Sequence, residues 1–316
     1  MSALEQVPRL REIVAGLLIL VVAASVTTGS DHGDTPLLID AQRHDARQTD
    51  LFVFNRGDKT VLAVCLDPTI PPAATSYQFA ADLTVEIHID NNSEVTFSDP
   101  VQLATFGGTI VEPKRIHSDV HFTIRFDHDG NTLMDVNGIS HSSLGDIQLF
   151  AGLRDDPFIR GPRIGRNIAA IVIELPSDLL LNDSDTLLIW TTSKVPGFRG
   201  SFQDMVGRAL RSQFPENLVM NGLRPGKHQQ VMGVTPDVMI YDTSRAAVFP
   251  NGRELSDDVV DLVGDPRVLA NDFPFPDQND LPFLSTFPYL SPPHAPSPEA
   301  VPYPTRESDA RSSPRG

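Results

Sequence analysis

Residues 83–90, LTVEIHID, alternate apolar and polar side chains without a break. No other feature constrains the fold as strongly. A period of two fits an extended strand with one buried face and does not fit a helix, whose faces recur every ~3.6 residues. Leu83, Val85, Ile87 and Ile89 are expected inside, with Glu86, His88 and Asp90 outside. Asn91-Asn92 tolerate the left-handed backbone of a tight turn. Val95 and Phe97 then resume the alternation, so residues 83–98 read as a hairpin. Phe122, Ile124 and Phe126 repeat the pattern, followed by the turn formers Asp127-His128-Asp129-Gly130-Asn131.

Four other stretches, 51–54, 61–66, 168–175 and 187–190, are short apolar runs fenced by Gly, Pro, Asp or Asn. Their length and their β-branched and aromatic content predict buried strands. Roughly eight strands joined by turns indicate a mainly β chain: an antiparallel β-sandwich-like single domain with a few short helices and long loops. Helix signals are sparse. Ser256-Asp257-Asp258 before Val259-Val260 resembles a helix start with acids in the first turn, ended by Gly264-Asp265-Pro266. Phe202, Val206, Leu210 and Phe214 stand four apart and predict a short helix over 202–214.

The start of the chain has another character. Arg9 and Arg11 precede the uncharged apolar stretch 13–26, IVAGLLILVVAASV, and small residues follow. That stretch is short for a membrane span, which needs ~20 apolar residues. The order of basic, apolar and small residues predicts a signal peptide or N-terminal anchor over 1–29, and a secreted, periplasmic or cell-envelope protein. Membrane contact is then expected only through an uncleaved N-terminal segment. The formal charge of −16 repels phosphate backbones, so nucleic acid is not an expected partner. Cys65 is the single cysteine and cannot form an internal disulfide; its apolar surroundings predict a buried thiol. Residues 291–316 are rich in proline without a large apolar cluster and predict a disordered tail.

Eight stretches occur in a recognisable order: SDHGDTP (30–36), TDLFVF (49–54), EIHIDNN (86–92), FAGLRDDPF (150–158), IVIELPSDLL (171–180), IWTTS (189–193), FPNGRELSDDVVD (249–261) and FPYLSPPH (287–294). Together they resemble the DUF4331 family, mostly bacterial and exported proteins without an established function. The resemblance spans residues 30–294 and implies one DUF4331-like β domain over 30–290. It implies export and fold and no reaction. The family more often shows Ser-Ser-His followed by a basic and an acidic residue at the first motif. Here Asp31, Gly33 and Asp34 surround His32, which speaks against a role needing a basic residue at position 33. The strand segment is also similar to β-sandwich modules that bind sugars or haem in exported proteins, a likeness of fold alone.

Candidate sites follow from residue chemistry. His32, Asp34, His44 and Asp50 are imidazoles and carboxylates within twenty residues, a ligand set for a divalent cation. The same acids also suit turns, where short carboxylates satisfy backbone donors. Asp127, Asp129 and Asn131 copy part of a calcium loop, but Thr132 stands where glycine is needed and Gly138 where the bidentate glutamate is needed, so a hairpin turn is expected. Arg154, Asp155 and Asp156 offer a guanidinium that either locks a turn or grips an anionic ligand. No nucleophile elbow, dinucleotide fingerprint or phosphate loop is present.

Two functions remain open. One is a non-enzymatic exported binding module for a cation, a glycan, another small molecule or a protein partner. The other is a metal-dependent hydrolase built on the His/Asp cluster near the mature N-terminus.

Overall fold

The computed structural model describes residues 31–159, 163–263 and 277–297. The expected signal segment, the stop at Gly264-Asp265-Pro266 and residues 298–316 lie outside the described residues.

The protein is mainly β and antiparallel. In one sheet β1 (Gln48–Arg56) pairs with β2 (Lys59–Leu66), β2 with β9 (Asn167–Pro176), and β9 with β8 (Gln148–Asp155). The other sheet runs β11 (Asp204–Val206), β10 (Thr186–Lys194), β3 (Thr84–Asp90), β6 (Val120–Phe126), β7 (Thr132–Asn137). A further strand, β12 (Met239–Asp242), shares the β11 side of β10. The short β4 (Val95–Thr96) and β5 (Thr109–Ile110) pair with each other.

All four apolar runs lie in strands: 51–54 in β1, 61–66 in β2, 168–175 in β9 and 187–190 in β10. They are buried throughout. One core cluster draws on both sheets and also on Ala247, Leu255, Tyr289 and Leu290 from later loops. Tyr289 meets Phe54 edge to face, with ring centroids 5.9 Å apart. Covering by loops as well as by the facing sheet explains why these strands are apolar at successive positions rather than alternating. Cys65 is buried and free within this core, and burial pushes its thiol well above the usual range.

β3 keeps the alternation expected of it. Val85, Ile87 and Ile89 are fully buried, while Glu86 and His88 are only part-covered. Asp90 departs from expectation and is fully buried. Its Oδ1 accepts from the backbone N–H groups of Asn92 and Ser93, and its Oδ2 accepts from Ser93 Oγ and His117 N. The alternation fixes the direction of a side chain and not what folds over it.

Two expected elements are corrected. Residues 83–98 do not form a hairpin: β3 pairs with β6 and β10, and β4 leaves to pair with β5. Residues 202–214 do not form a helix. Asp204–Val206 joins the β10 edge, and a Cβ at Gly207 would lie 2.4 Å from the Asp237 carbonyl oxygen. Strand pairing and this backbone approach override the four-residue spacing. The helix after Asp258 does form, as Val259–Val263, with Asp258 Oδ1 accepting from Val260 N and Asp261 N. The Asp127 loop is a hairpin turn between β6 and β7, with Asp127 Oδ1 accepting from Asp129 N and Asn131 N.

The tail expectation is also corrected at its start. Ser291 is fully buried, its carbonyl accepts from Asp155 N, and Ser297 N donates to Pro72 O. Residues 291–297 are therefore docked on the domain.

Candidate functional site

The four residues expected to share a metal lie in three separate networks. His32 Nε2 stands 2.9 Å from Asp204 Oδ1, and His32 Nδ1 stands 2.6 Å from Ser212 Oγ. Arg47 pairs with Asp34 and donates to His44 Nδ1 at 2.8 Å. Asp50 faces the fully buried Arg253, which also pairs with Asp31. Arginine thus supplies the positive charge that a metal would bring to Asp34 and Asp50. The segment they start from is held firmly: Leu210 N donates to Asp31 O, and Asn221 Nδ2 donates to Gly33 O at 2.7 Å. Gly33 has a steric reason, since a Cβ there would lie 2.2 Å from the Ser212 carbonyl oxygen.

Ser212, His32 and Asp204 together have the composition of a nucleophilic triad. Their environment gives them another task. Burial alone would lower the His32 pKa, but the Asp204 carboxylate outweighs it by charge and hydrogen bond, and the net shift is upward. Ser212 Oγ also accepts from Gly33 N, and Asp204 is held by Thr35 Oγ1 and Gln48 N. All three triad members are buried. The chain pins the N-terminal segment to β11.

Arg154 does not lock the turn that follows it. Its guanidinium lies over the Phe150 ring, 4.2 Å from the centroid. Arg163 performs that task, pairing with Asp156, whose Oδ1 accepts from Phe158 N. Asp155 turns to the C-terminal segment, where its Oδ2 accepts from Asn279 Nδ2 at 2.6 Å. Burial, opposed by that hydrogen bond and reinforced by Asp280 and Asp156, pushes its carboxyl up to about 8.

Strand register builds a cleft on the outer face of the second sheet. Trp190, His88, His121 and Asn137 are successive cross-strand partners on β10, β3, β6 and β7. Thr192 and Glu86 form the next row. Partners in an antiparallel sheet project to the same side, so these rows make a continuous surface. Ile116, His117, Ser118, Phe202, Arg224 and Pro225 wall it into a cleft of about 350 Å³. Glu86 and Arg224 bring opposite charges, while Trp190, Phe202 and Ile116 bring apolar surface. A second cleft of about 530 Å³, lined by Glu94, Glu112 and Arg115, shares His117 with it.

His88 occupies the floor. Its ring stacks on Trp190, with centroids 5.1 Å apart and planes 15° from parallel. His88 Nδ1 lies 3.2 Å from Ser118 Oγ, which itself donates to Val120 O. His88 Nε2 lies 3.1 Å from Thr192 Oγ1, whose hydroxyl also reaches Glu86 Oε2 at 3.4 Å. Burial, then the charges of His121 and Arg224, lowers its pKa to about 3. A folded-state pKa depressed below ~6.5 means that its stabilising contribution is present above pH ~6.5 and lost as pH falls toward about 3. In an NMR titration the His88 ring signals are expected to stay constant from about pH 8 to pH 5, well above that lowered value. A midpoint near ~6.5 would show that the ring is not enclosed as described.

Among the described residues, three groups bring potential metal-ligand atoms within 4.8 Å of one another: Asp90, His117 and Asp119; Asp155, Asp280 and His294; Asp258, Asp261 and Asp277. None includes His32, Asp34, His44 or Asp50. Sequence reasoning missed Trp190, His121 and Arg224 as one surface, because only the pairing of β10, β3 and β6 joins them. The outward position of His88 in LTVEIHID was the one legible signal. Among the described residues, no helix is long and apolar enough to cross a membrane. No family model matches the chain, and no curated protein matches it.

Proposed function

We propose that the protein is an exported, non-enzymatic β-sandwich binding module that takes a small neutral glycan in the cleft over Trp190. The observation that carries this reading is the cleft itself, about 350 Å³ with apolar and hydrogen-bonding groups converging on one surface. A concave site with a few converging polar groups beside a strongly perturbed histidine is the usual place for a small ligand. A sugar presents hydroxyls that suit Glu86, Arg224, Ser201 and Thr192, and apolar C–H groups that suit the small exposed portions of Trp190 and Phe202, 5% and 9% exposed, beside Ile116. Opposite charges at Glu86 and Arg224 favour a neutral polar ligand over an ion of either sign. The order of DUF4331-like motifs and the basic–apolar–small start of the chain support export.

Trp190 is the only tryptophan, so its emission reports on this cleft alone. Titration with neutral mono- and disaccharides is expected to shift that emission saturably. Glu86→Ala and Arg224→Ala are each expected to weaken binding about tenfold, the effect of losing one hydrogen bond to a charged group. Emission that stays flat across the sugars, or affinity that both substitutions leave unchanged, would remove this reading.

A further inference from the structure

We propose that Asp155, Asp280 and His294 bind a divalent first-row transition ion, zinc or manganese in type, which clasps the C-terminal segment onto the first sheet. The three side chains come from the end of β8, from the loop at 277–282 and from the docked stretch 291–297. His294 Nε2 lies 2.8 Å from Asp155 Oδ1 and 3.3 Å from Asp280 Oδ2. A cation held at about 2.0–2.2 Å by such atoms sets adjacent ligands roughly 3 Å apart. One imidazole with two carboxylates is a donor set for zinc, manganese or iron rather than for magnesium.

A second observation points the same way. Asp155 is 1% exposed, and its Oδ1 has no hydrogen-bond donor. His294 Nε2 is likewise buried without a hydrogen-bond partner, so the two atoms converge without hydrogen-bond geometry. Asp31, Asp34, Asp50, Asp156 and Glu174 each face an arginine or a lysine. Among the described residues, Asp155 and Asp280 form ion pairs only with His294. A buried carboxylate with neither an arginine nor a lysine beside it is hydrogen-bonded, neutralised by a proton or held by a cation. Asp90 and Asp204 are satisfied by hydrogen-bond donors, whereas Asp155 Oδ1 has none and meets an imidazole nitrogen without hydrogen-bond geometry, as two ligands of one ion do. The surrounding shell is formed: Asn279 Nδ2 donates to Asp155 Oδ2, Gly165 N donates to Asp280 Oδ2 at 2.6 Å, and His294 N donates to Asn167 Oδ1. Such outer contacts orient ligands toward a metal. Asp280 and His294 keep 20% and 21% exposure, which leaves the ion a path in.

The test uses the full chain, stripped with chelator, dialysed and titrated with zinc or manganese. One equivalent of zinc or manganese is expected to bind, to raise the melting temperature and to protect residues 277–297 from protease. His294→Ala and Asp280→Asn are expected to abolish uptake, the thermal shift and the protection. Both positions are partly exposed, so the metal-free variants are expected to melt cooperatively near the metal-free parent. Asn279→Ala, which touches only the outer shell, is expected to weaken binding by about 10–100-fold. A parent chain that takes up neither ion stoichiometrically, or uptake that survives in both ligand variants, overturns the proposal. The sugar titration at Trp190 is independent of either result.

Discussion

Replacing Arg253 by alanine is expected to destabilise the protein by about 3–5 kcal/mol, the cost of stranding buried carboxylates. Arg253 is fully buried, pairs with Asp31 and stands 3.2 Å from Asp50 Oδ1, while its guanidinium covers the Phe52 ring at 3.9 Å. Without it, two acids would remain in the interior with no cation between them. The loss is expected to depend on pH. Burial, then the Asp50 charge, holds the Asp31 carboxyl well above the usual range even against Arg253. A group whose folded pKa is raised contributes fully below its unfolded value, near ~3.9, and loses that contribution as pH rises through the folded pKa. Removing Arg253 removes the interaction that opposes this shift, so the variant's loss of stability is expected to continue to a higher pH than the parent's. Adding Asp31→Asn is expected to recover part of the loss, because one stranded charge disappears. Denaturant titrations at about pH 4 and pH 7 check both statements. A cost below about 1 kcal/mol at neutral pH would mean that the carboxylates are solvated or paired elsewhere.

Ile87→Ala is expected to cost about 2–5 kcal/mol through lost transfer energy and the cavity left behind. Ile87 is fully buried in β3, flanked by Thr191 on β10 and Phe122 on β6. Its neighbour His88 points to the cleft. His88→Ala forfeits the stack on Trp190 and the contacts with Ser118 and Thr192, which places its cost near ~1 kcal/mol. That exceeds what alternation alone suggests for an outward residue, because the cleft walls enclose the ring. Equal costs for the two substitutions in a denaturant titration would show that the β3 register is wrong.

Local pattern carried much of the fold. The alternation in LTVEIHID identified β3 and its buried face, because the pleat sends successive side chains to opposite sides. The apolar runs identified β1, β2, β9 and β10, because a strand covered on both faces has no polar side to show. Asp258 announced its helix through capping, and Asp127 its turn, since both acids act on backbone only two to four residues away.

What failed depended on long-range pairing. Residues 202–214 carry a helix-like spacing, yet the edge of β10 and the Asp237 backbone claim them for a strand and a tight approach. Val95 resumes the alternation of β3 without pairing to it, because β10 and β6 already occupy both its edges. His32, Asp34, His44 and Asp50 are close in sequence but separate in space. His32 and Asp50 find their partners Asp204, Ser212 and Arg253 172, 180 and 203 residues further on, where no local signal connects them, while Asp34 and His44 meet Arg47 only 13 and 3 residues away. The Trp190 cleft and the Asp155–Asp280–His294 group arise in the same way. The sequence by itself determined the strands with a strong local pattern, β1, β2, β3, β6, β9 and β10, and the turns and caps that act on nearby backbone, since those depend on neighbours along the chain. Only the tertiary structure decided which strands pair and which charges meet, since those depend on closing loops whose ends carry no record of each other.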